Sequence, residues 1–289
     1  MRLNNGGFLR LATAFAVLLL ASMPSGARHR PAAGDPPDIR SSAALVVDES
    51  SSTVLLARQA EVPTPIASIT KLMTALVIVD AHQPLDEVLT ITEEDHEHGR
   101  GAYSRLAVGA RLSRGDLLHV ALMSSENRAA HTLGRSYPGG LTAFVAAMNG
   151  KAQALGMSHT HFVDPTGLSS ENQASPADLS KLVSAASLVP TIQQYSTDER
   201  HTVVVGRRAL EFRNTDLLVR SPAWNIIVQK TGYITEAGKC LVMKALIRGR
   251  AVVIVLLDSY GKYTRVADAQ RIRKWLEARP AEHVTPGAA

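Results

Sequence analysis

Ser68 and Lys71 stand three residues apart in a stretch that runs from Pro63 to Val79. On a helix, positions i and i+3 share a face, so this hydroxyl and this amine can meet. A serine with an amine base within reach is an activated nucleophile. The positive end of a helix dipole at the same place favours negative charge developing there. Taken alone the pair is also what a helix-start serine followed by a surface lysine looks like. A second Ser-x-x-Lys, Ser259 to Lys262, reads as a solvated turn. Two further groups bear on the choice. Lys230-Thr231-Gly232 puts a lysine beside a glycine, whose missing side chain lets a substrate backbone lie against a strand. Ser125-Glu126-Asn127 falls between two predicted helices. A second Ser-x-Asn, Ser170 to Asn172, follows Pro165-Thr166-Gly167 and reads as a surface turn.

The elements that must position these groups can be read from apolar periodicity. Two prolines precede Ser68, and Ile69 to Val79 is almost unbroken apolar sequence, which predicts three turns of buried helix. Before it, Ala43–Asp48 and Thr53–Arg58 read as a hairpin around a turn at 49–52. From about residue 81 to 195 the pattern is mainly helical, after a strand-like piece at Val88–Ile91. Ser113 to Asp116 has capping-box-like spacing and opens a helix to Met123. Further helices are expected at Arg128–Gly134, Leu141–Leu155 and Ser175–Leu188. After Thr197 the period becomes that of strands: Thr202–Val205, Ala209–Arg213, Asn225–Lys230, Leu241–Arg248 and Ala251–Leu257. Gly206-Arg207 and Gly249-Arg250 read as hairpin turns. A last helix spans Thr264 to Ala278. Strands from both chain ends then form one antiparallel sheet with terminal helices against it and a helical insert between, an α+β fold. Lys230 is placed at a strand end.

The 289 residues, 45% hydrophobic and 20% charged, fit a globular chain with ample core. Aromatics are only 4%, so that core must be mostly aliphatic. Residues 1–27 read as a secretory signal peptide: Arg2 and Arg10, an apolar run from Leu11 to Ala21, then Ser25-Gly26-Ala27. Residues 28–40 read as a flexible linker, 41–279 as the folded domain and 280–289 as a tail. Removing the leader lowers the formal charge from +5 to +3, because it carries two arginines and no acid. With no block of basic residues and no interleaved aromatics, a nucleic-acid ligand is not expected. Cys240 is single, so no intrachain disulfide forms, and it reads as a buried small hydrophobe. His96 and His98 lie among acids in a solvated-looking loop, and no metal site is expected there.

Ser-x-x-Lys, Ser-x-Asn and Lys-Thr-Gly in this order are the established signature of penicillin-binding proteins and class A β-lactamases. The chain resembles the low-molecular-mass penicillin-binding proteins, the serine D-Ala-D-Ala peptidases, in their D-alanyl-D-alanine endopeptidase branch. The likeness runs through Ala67–Ala75, Leu122–Ala130, Phe162–Leu168 and Lys230–Gly238, and spans about residues 40–279. Glu126 stands where the carboxypeptidase branch usually has glycine. The resemblance implies a β-lactamase/transpeptidase-like fold. It implies Ser68 as nucleophile and Lys71, desolvated beside Lys230, as a neutral amine base. Ser125 and Lys230 are expected to relay a proton to the leaving amine. Asn127 would orient Lys71 or hold substrate backbone, and Thr231 would bond a substrate carboxylate or its equivalent. Gly232 leaves room for substrate, and the N–H groups of Ser68 and Tyr233 form an oxyanion hole. The implied substrates are peptidoglycan stem peptides and their crosslinks, with β-lactams as covalent inhibitors and no metal or cofactor. The chain ends ten residues after Arg279, so neither a second domain nor an anchor helix is expected. A monomeric, periplasmic protein without a stable membrane anchor follows.

Alternatives remain at this stage. One is a D-alanyl-D-alanine carboxypeptidase, and another a wall-binding pseudo-enzyme. A class A β-lactamase is disfavoured because no Glu-x-x-Leu-Asn follows the middle motif. Asp164–Leu168 reads as a structural turn, and Asn214-Thr215 suits a brace for the site or a simple cap. Arg265 reads as an ion-pair partner, Glu236 as a solvated acid, and His131, His159 and His161 as surface or packing residues.

Overall fold

Strands buried on both faces set the architecture. The computed structural model describes residues 36–96 and 103–279. The signal-peptide, tail and His98 readings therefore lie outside the described residues. Strands β1 (Ser41–Asp48) and β2 (Thr53–Arg58) form the expected hairpin. A short β3 (Thr64–Pro65) and a 3₁₀ turn (Ala67–Ile69) lead into α1 (Thr70–Asp80). Next come β4 (Val88–Thr90), β5 (Arg111–Ser113), α2 (Arg114–Met123), α3 (Asn127–Arg135) and α4 (Gly140–Ala154). Then follow β6 (Gln173–Ala174), α5 (Pro176–Ala186), α6 (Pro190–Thr197), β7 (Arg200–Val205) and β8 (Arg208–Arg213). The chain closes with β9 (Asn225–Ile234), β10 (Gly238–Ile247), β11 (Arg250–Ser259) and α7 (Thr264–Ala278).

The five-stranded sheet has the order β2-β1-β11-β10-β9, so strands from both chain ends meet where β1 pairs antiparallel with β11. One sheet face packs Val46, Met243, Ile254 and Leu256 against Ile272 and Leu276 of α7. The other turns Leu45, Val242, Val253 and Val255 toward the helical layer, where α1 is buried. Two apolar faces per strand are what a sheet covered on both sides needs, with residues alternating between them. Each fully buried Leu or Ile contributes roughly 1.5–3 kcal/mol. The residues of α1 from Thr70 to Ile78 are all buried, which explains why its apolar run shows no polar face.

Several expectations need correction. Lys230 lies in the middle of β9, which continues to Ile234, because Tyr233 and Gly232 still pair with Lys239 and Cys240. β7 and β8 do not join the main sheet but form a separate hairpin. It is fastened to α2, with His201 Nε2 2.9 Å from Asp116 Oδ1. The turn between β10 and β11 is Arg248-Gly249, both at positive φ, one residue earlier than expected. The linker reading fails at its end: Ile39 is buried, and the N–H of Arg40 donates to Asp268. Ser259 is also buried, at the end of β11, with its hydroxyl 2.7 Å from that of Ser41. Cys240 is buried as expected, and burial pushes its thiol up to about 11.

Candidate active site

Ser68 sits in the 3₁₀ turn that opens α1, so its side chain is held by the helix start. The turn is tightly constrained. Ala67 adopts φ +49°, and two glycines press against the same backbone. A Cβ on Gly167, itself at φ +80°, would fall 1.9 Å from Ala67 O. A Cβ on Gly232 would meet Ile66 O at 2.9 Å and Ser68 N at 3.2 Å. Neither position has space for a side chain. β9 is an edge strand of the main sheet and lies beside the Ser68 turn, which is why Gly232 rather than a larger residue stands there.

Lys71, the second residue of α1 and one turn after Ser68, is 1% exposed. Its Nζ lies 3.0 Å from Ser68 Oγ and donates to Asn127 Oδ1 at 2.8 Å and Thr166 O at 2.6 Å. The two carbonyl oxygens can only accept, whereas the Ser68 hydroxyl can also donate. Of these three partners, Ser68 Oγ is therefore the one that could give a proton to Lys71 Nζ as well as accept from it. Asn127 is the first residue of α3, and it reaches Lys71 from the helix start.

The second lysine reaches the site from the sheet. Lys230 has no exposed surface, and its Nζ lies 3.0 Å from Ser125 Oγ while donating to Thr231 O at 2.9 Å. Burial, then the charges of Lys71 and Arg265, hold its amine well below the usual lysine range. Ser125 lies between α2 and α3 at φ +62°, a conformation rare for a residue with a side chain. Such backbone is retained where its surroundings over-determine it, commonly at functional sites.

Ser68, Ser125, Asn127, Thr231, Gly232 and Tyr233 line one cavity of about 300 Å³. The structure thus brings together the sequence-predicted residues, with Lys71 and Lys230 bonded to the two serines behind the cavity wall. Further residues complete the site. Thr166 offers Lys71 a backbone carbonyl from the 164–168 turn, which is more than a surface turn. The Asp164 carboxylate gathers the N–H groups of Thr166, Gly167 and Ser169 to shape it. The buried Asn172 side chain locks it in turn, so the second Ser-x-Asn braces the site from behind. Thr215 Oγ1 lies 2.6 Å from Thr231 Oγ1, which decides for a brace at that position, and Asn214 caps the C-terminal end of α6 through Ser196 O and Asp198 O. Arg265, expected as an ion-pair partner, instead donates to Gly232 O at 2.8 Å and Cys240 O at 3.1 Å and lines the cavity. Tyr103 lines it as well. Glu236 is exposed as expected. The only signals these residues gave were Gly167 next to a proline-threonine pair and an arginine at the start of the last helix.

Comparison with known proteins agrees with this geometry. Residues 30–261 match the D-alanyl-D-alanine carboxypeptidase family. The chain is 48% identical over 273 residues to a D-alanyl-D-alanine endopeptidase of Pseudomonas aeruginosa, covering 93% of this chain and 88% of that one. It is 46% identical over 243 residues to the protein of the same name in Escherichia coli, covering 83% and 78%. Among solved structures it is similar to the D-alanyl-D-alanine carboxypeptidase of Mycobacterium tuberculosis, with TM-score 0.78, 29% identity and coverage of 88% and 97%. It is likewise similar to the Streptomyces K15 DD-transpeptidase, with TM-score 0.77, 26% identity and coverage of 83% and 98%. With its family matched over most of the described chain and its motifs gathered at one cavity, the chain belongs to the D-alanyl-D-alanine carboxypeptidase family of peptidases.

Proposed function

We propose that the protein is an exported serine D,D-endopeptidase that hydrolyses the amide between D-Ala of one peptidoglycan stem peptide and the diamino acid of its neighbour. The observation that carries this reading is the paired contact of two serines with two buried lysines, Ser68 with Lys71 and Ser125 with Lys230, each at 3.0 Å beside one cavity. The endopeptidase names of the relatives at 46–48% identity favour an internal bond over a terminal one.

In this reading Lys71, as a neutral amine, takes the proton of Ser68 Oγ while the oxygen attacks the D-Ala carbonyl carbon. The N–H groups of Ser68 and Tyr233 stabilise the oxyanion, where one donor is typically worth about a hundredfold or more. As the intermediate collapses, the C–N bond breaks. The leaving amine takes its proton from Ser125, which Lys230 replenishes, and Lys230 in turn recovers the proton that Lys71 took from Ser68, so that Lys71 is neutral again for the next step. Thr231, braced by Thr215, and Arg265 face the carboxylate next to that amine. Water then attacks the acyl-enzyme, giving its proton back through Lys71 and freeing Ser68. β-Lactams would acylate the same serine.

A carboxypeptidase reading draws on the family description and on Arg265 and Thr231, which suit a terminal carboxylate equally well. Product analysis separates the two. Purified protein and Ser68→Ala are given crosslinked muropeptide dimers and monomeric pentapeptides. Dimers converted to monomers only by the unmutated protein support the endopeptidase. Release of D-Ala from pentapeptides alone moves the assignment to carboxypeptidase, and Ser68→Ala acting like the unmutated protein overturns both.

A further inference from the structure

The middle residue of Ser125-Glu126-Asn127 does not point where its neighbours point. Ser125 and Asn127 line the cavity, and Glu126 does not. It is buried at 6% exposure and turns its carboxyl away. One oxygen accepts the Ala129 N–H at 2.8 Å and so caps α3. The other takes the Ser104 hydroxyl. Ser104 is the first of three residues pinned to their surroundings. Leu106 is fully buried, and its carbonyl accepts from Arg128 at 2.6 Å. Arg105 donates to Glu211 O at 2.5 Å and lies over the Phe212 ring, 4.8 Å from its centroid. All this fastening fixes the residue before it, Tyr103. Its ring is 84% exposed, packs into no core, and stands on the cavity rim.

Tyrosine offers a ligand a large rigid face with little side-chain entropy to lose. The geometry also says which part of a substrate would reach it. In the reaction proposed above, Ser125 delivers the proton to the leaving amine, so that amine departs past Ser125. Tyr103 rims the same wall, because Ser104 is tied to the residue that follows Ser125. A pentapeptide sends out only D-Ala on that side. A crosslinked dimer sends out a whole second stem peptide.

Resting on that endopeptidase reading, we infer that Tyr103 is a binding residue for the second stem peptide of a crosslinked substrate, and that Glu126 is the positioning residue that sets it there. Glu126 thus favours crosslinks without touching substrate.

The test uses the full mature protein and three readouts: dimer cleavage, pentapeptide cleavage and the rate of acylation by benzylpenicillin. Tyr103→Ala is expected to raise KM for the dimer about tenfold, the scale of one lost aromatic contact, with kcat changed far less. The loss on the dimer exceeds that on benzylpenicillin acylation at least fivefold. Glu126→Gly gives the same selective loss, and Tyr103→Ala with Glu126→Gly is no worse than either alone. Glu126→Gln keeps an acceptor for Ala129 and a partner for Ser104, and restores most of the dimer KM. Ser104→Ala cuts the same tie without touching the α3 cap and moves KM in the same direction by less. An unchanged dimer KM in Tyr103→Ala overturns the inference. So do additive losses in the double variant, or a Glu126→Gly loss that is equal on dimer and benzylpenicillin. Unmutated protein that leaves dimers intact overturns the endopeptidase reading and this inference with it. Unmutated protein and Tyr103→Ala cutting dimers equally well overturns this inference alone.

Discussion

Lys71 reaches Ser68 from a helix, and Lys230 reaches Ser125 from a strand. The two buried amines keep different company. Lys71 has two carbonyl oxygens and one hydroxyl around it, gathered from three separate parts of the chain. Lys230 has one hydroxyl and the carbonyl of its own neighbour, and it is fully buried with the positive charge of Arg265 nearby. The first environment fixes an amine's direction, and the second disfavours a charge on the amine. A base that must meet one hydroxyl needs the former. A relay that must lose and regain a proton near neutral pH needs the latter.

The comparison breaks most visibly at Lys71. Lys71→Ala is expected to slow acylation of Ser68 about a thousandfold or more for peptides and benzylpenicillin alike, since both need the same attack. Stopped-flow acylation and peptide turnover check this, and a loss confined to peptides would transfer the base role elsewhere. Lys230→Ala is expected to cost about a hundredfold on peptides and less on benzylpenicillin, whose leaving nitrogen stays tethered. Equal losses on the two substrates would erase the distinction between the lysines.

Gly167 tests the turn that holds Ser68 and Lys71. Gly167→Ala puts a methyl into the Ala67 carbonyl at a φ that only glycine adopts freely. A loss of about 3 kcal/mol in denaturant unfolding is expected, together with slower acylation. Unchanged stability would mean that the Ser68 turn moves aside without cost.

The smallest effect has the opposite sign. Between Lys230's lowered folded value and the ordinary 10.5, the unfolded chain binds a proton that the folded chain does not. This group's contribution to stability therefore rises with pH across that window, and its penalty is complete below it. Lys230→Met is expected to be about 1 kcal/mol or more stabler than the unmutated protein at pH 6, with the gap closing toward pH 10. A variant that is less stable at every pH would show that the Ser125 contact outweighs the desolvation of the amine.

What could be read in advance follows from how each contact is encoded. Ser68, Lys71, Ser125, Asn127 and the Lys230–Gly232 run lie in short contiguous motifs, and their side chains do the work, so residue type and spacing expose them. Thr166 contributes a carbonyl, which every residue type has, and only the glycine beside it hinted at close packing. Arg265 comes to the cavity from the far end of the chain, where nothing local marks it. Asp95 looked like one more acid in a charged loop. It is buried, and His131 and Arg135, 36 and 40 residues further on, hold its carboxyl well below the usual range. The β7–β8 hairpin shows the limit of periodicity, since alternation predicts strands but not which sheet they join.

Locating the covalent label tests the central claim most directly. The protein is inactivated with benzylpenicillin, digested, and mapped by mass spectrometry. The adduct is expected on Ser68 alone, formed at a normal rate with Lys71 in place and nearly absent in Lys71→Ala. An adduct on Ser125, or undiminished labelling of Ser68 in Lys71→Ala, would contradict the assignment of nucleophile and base.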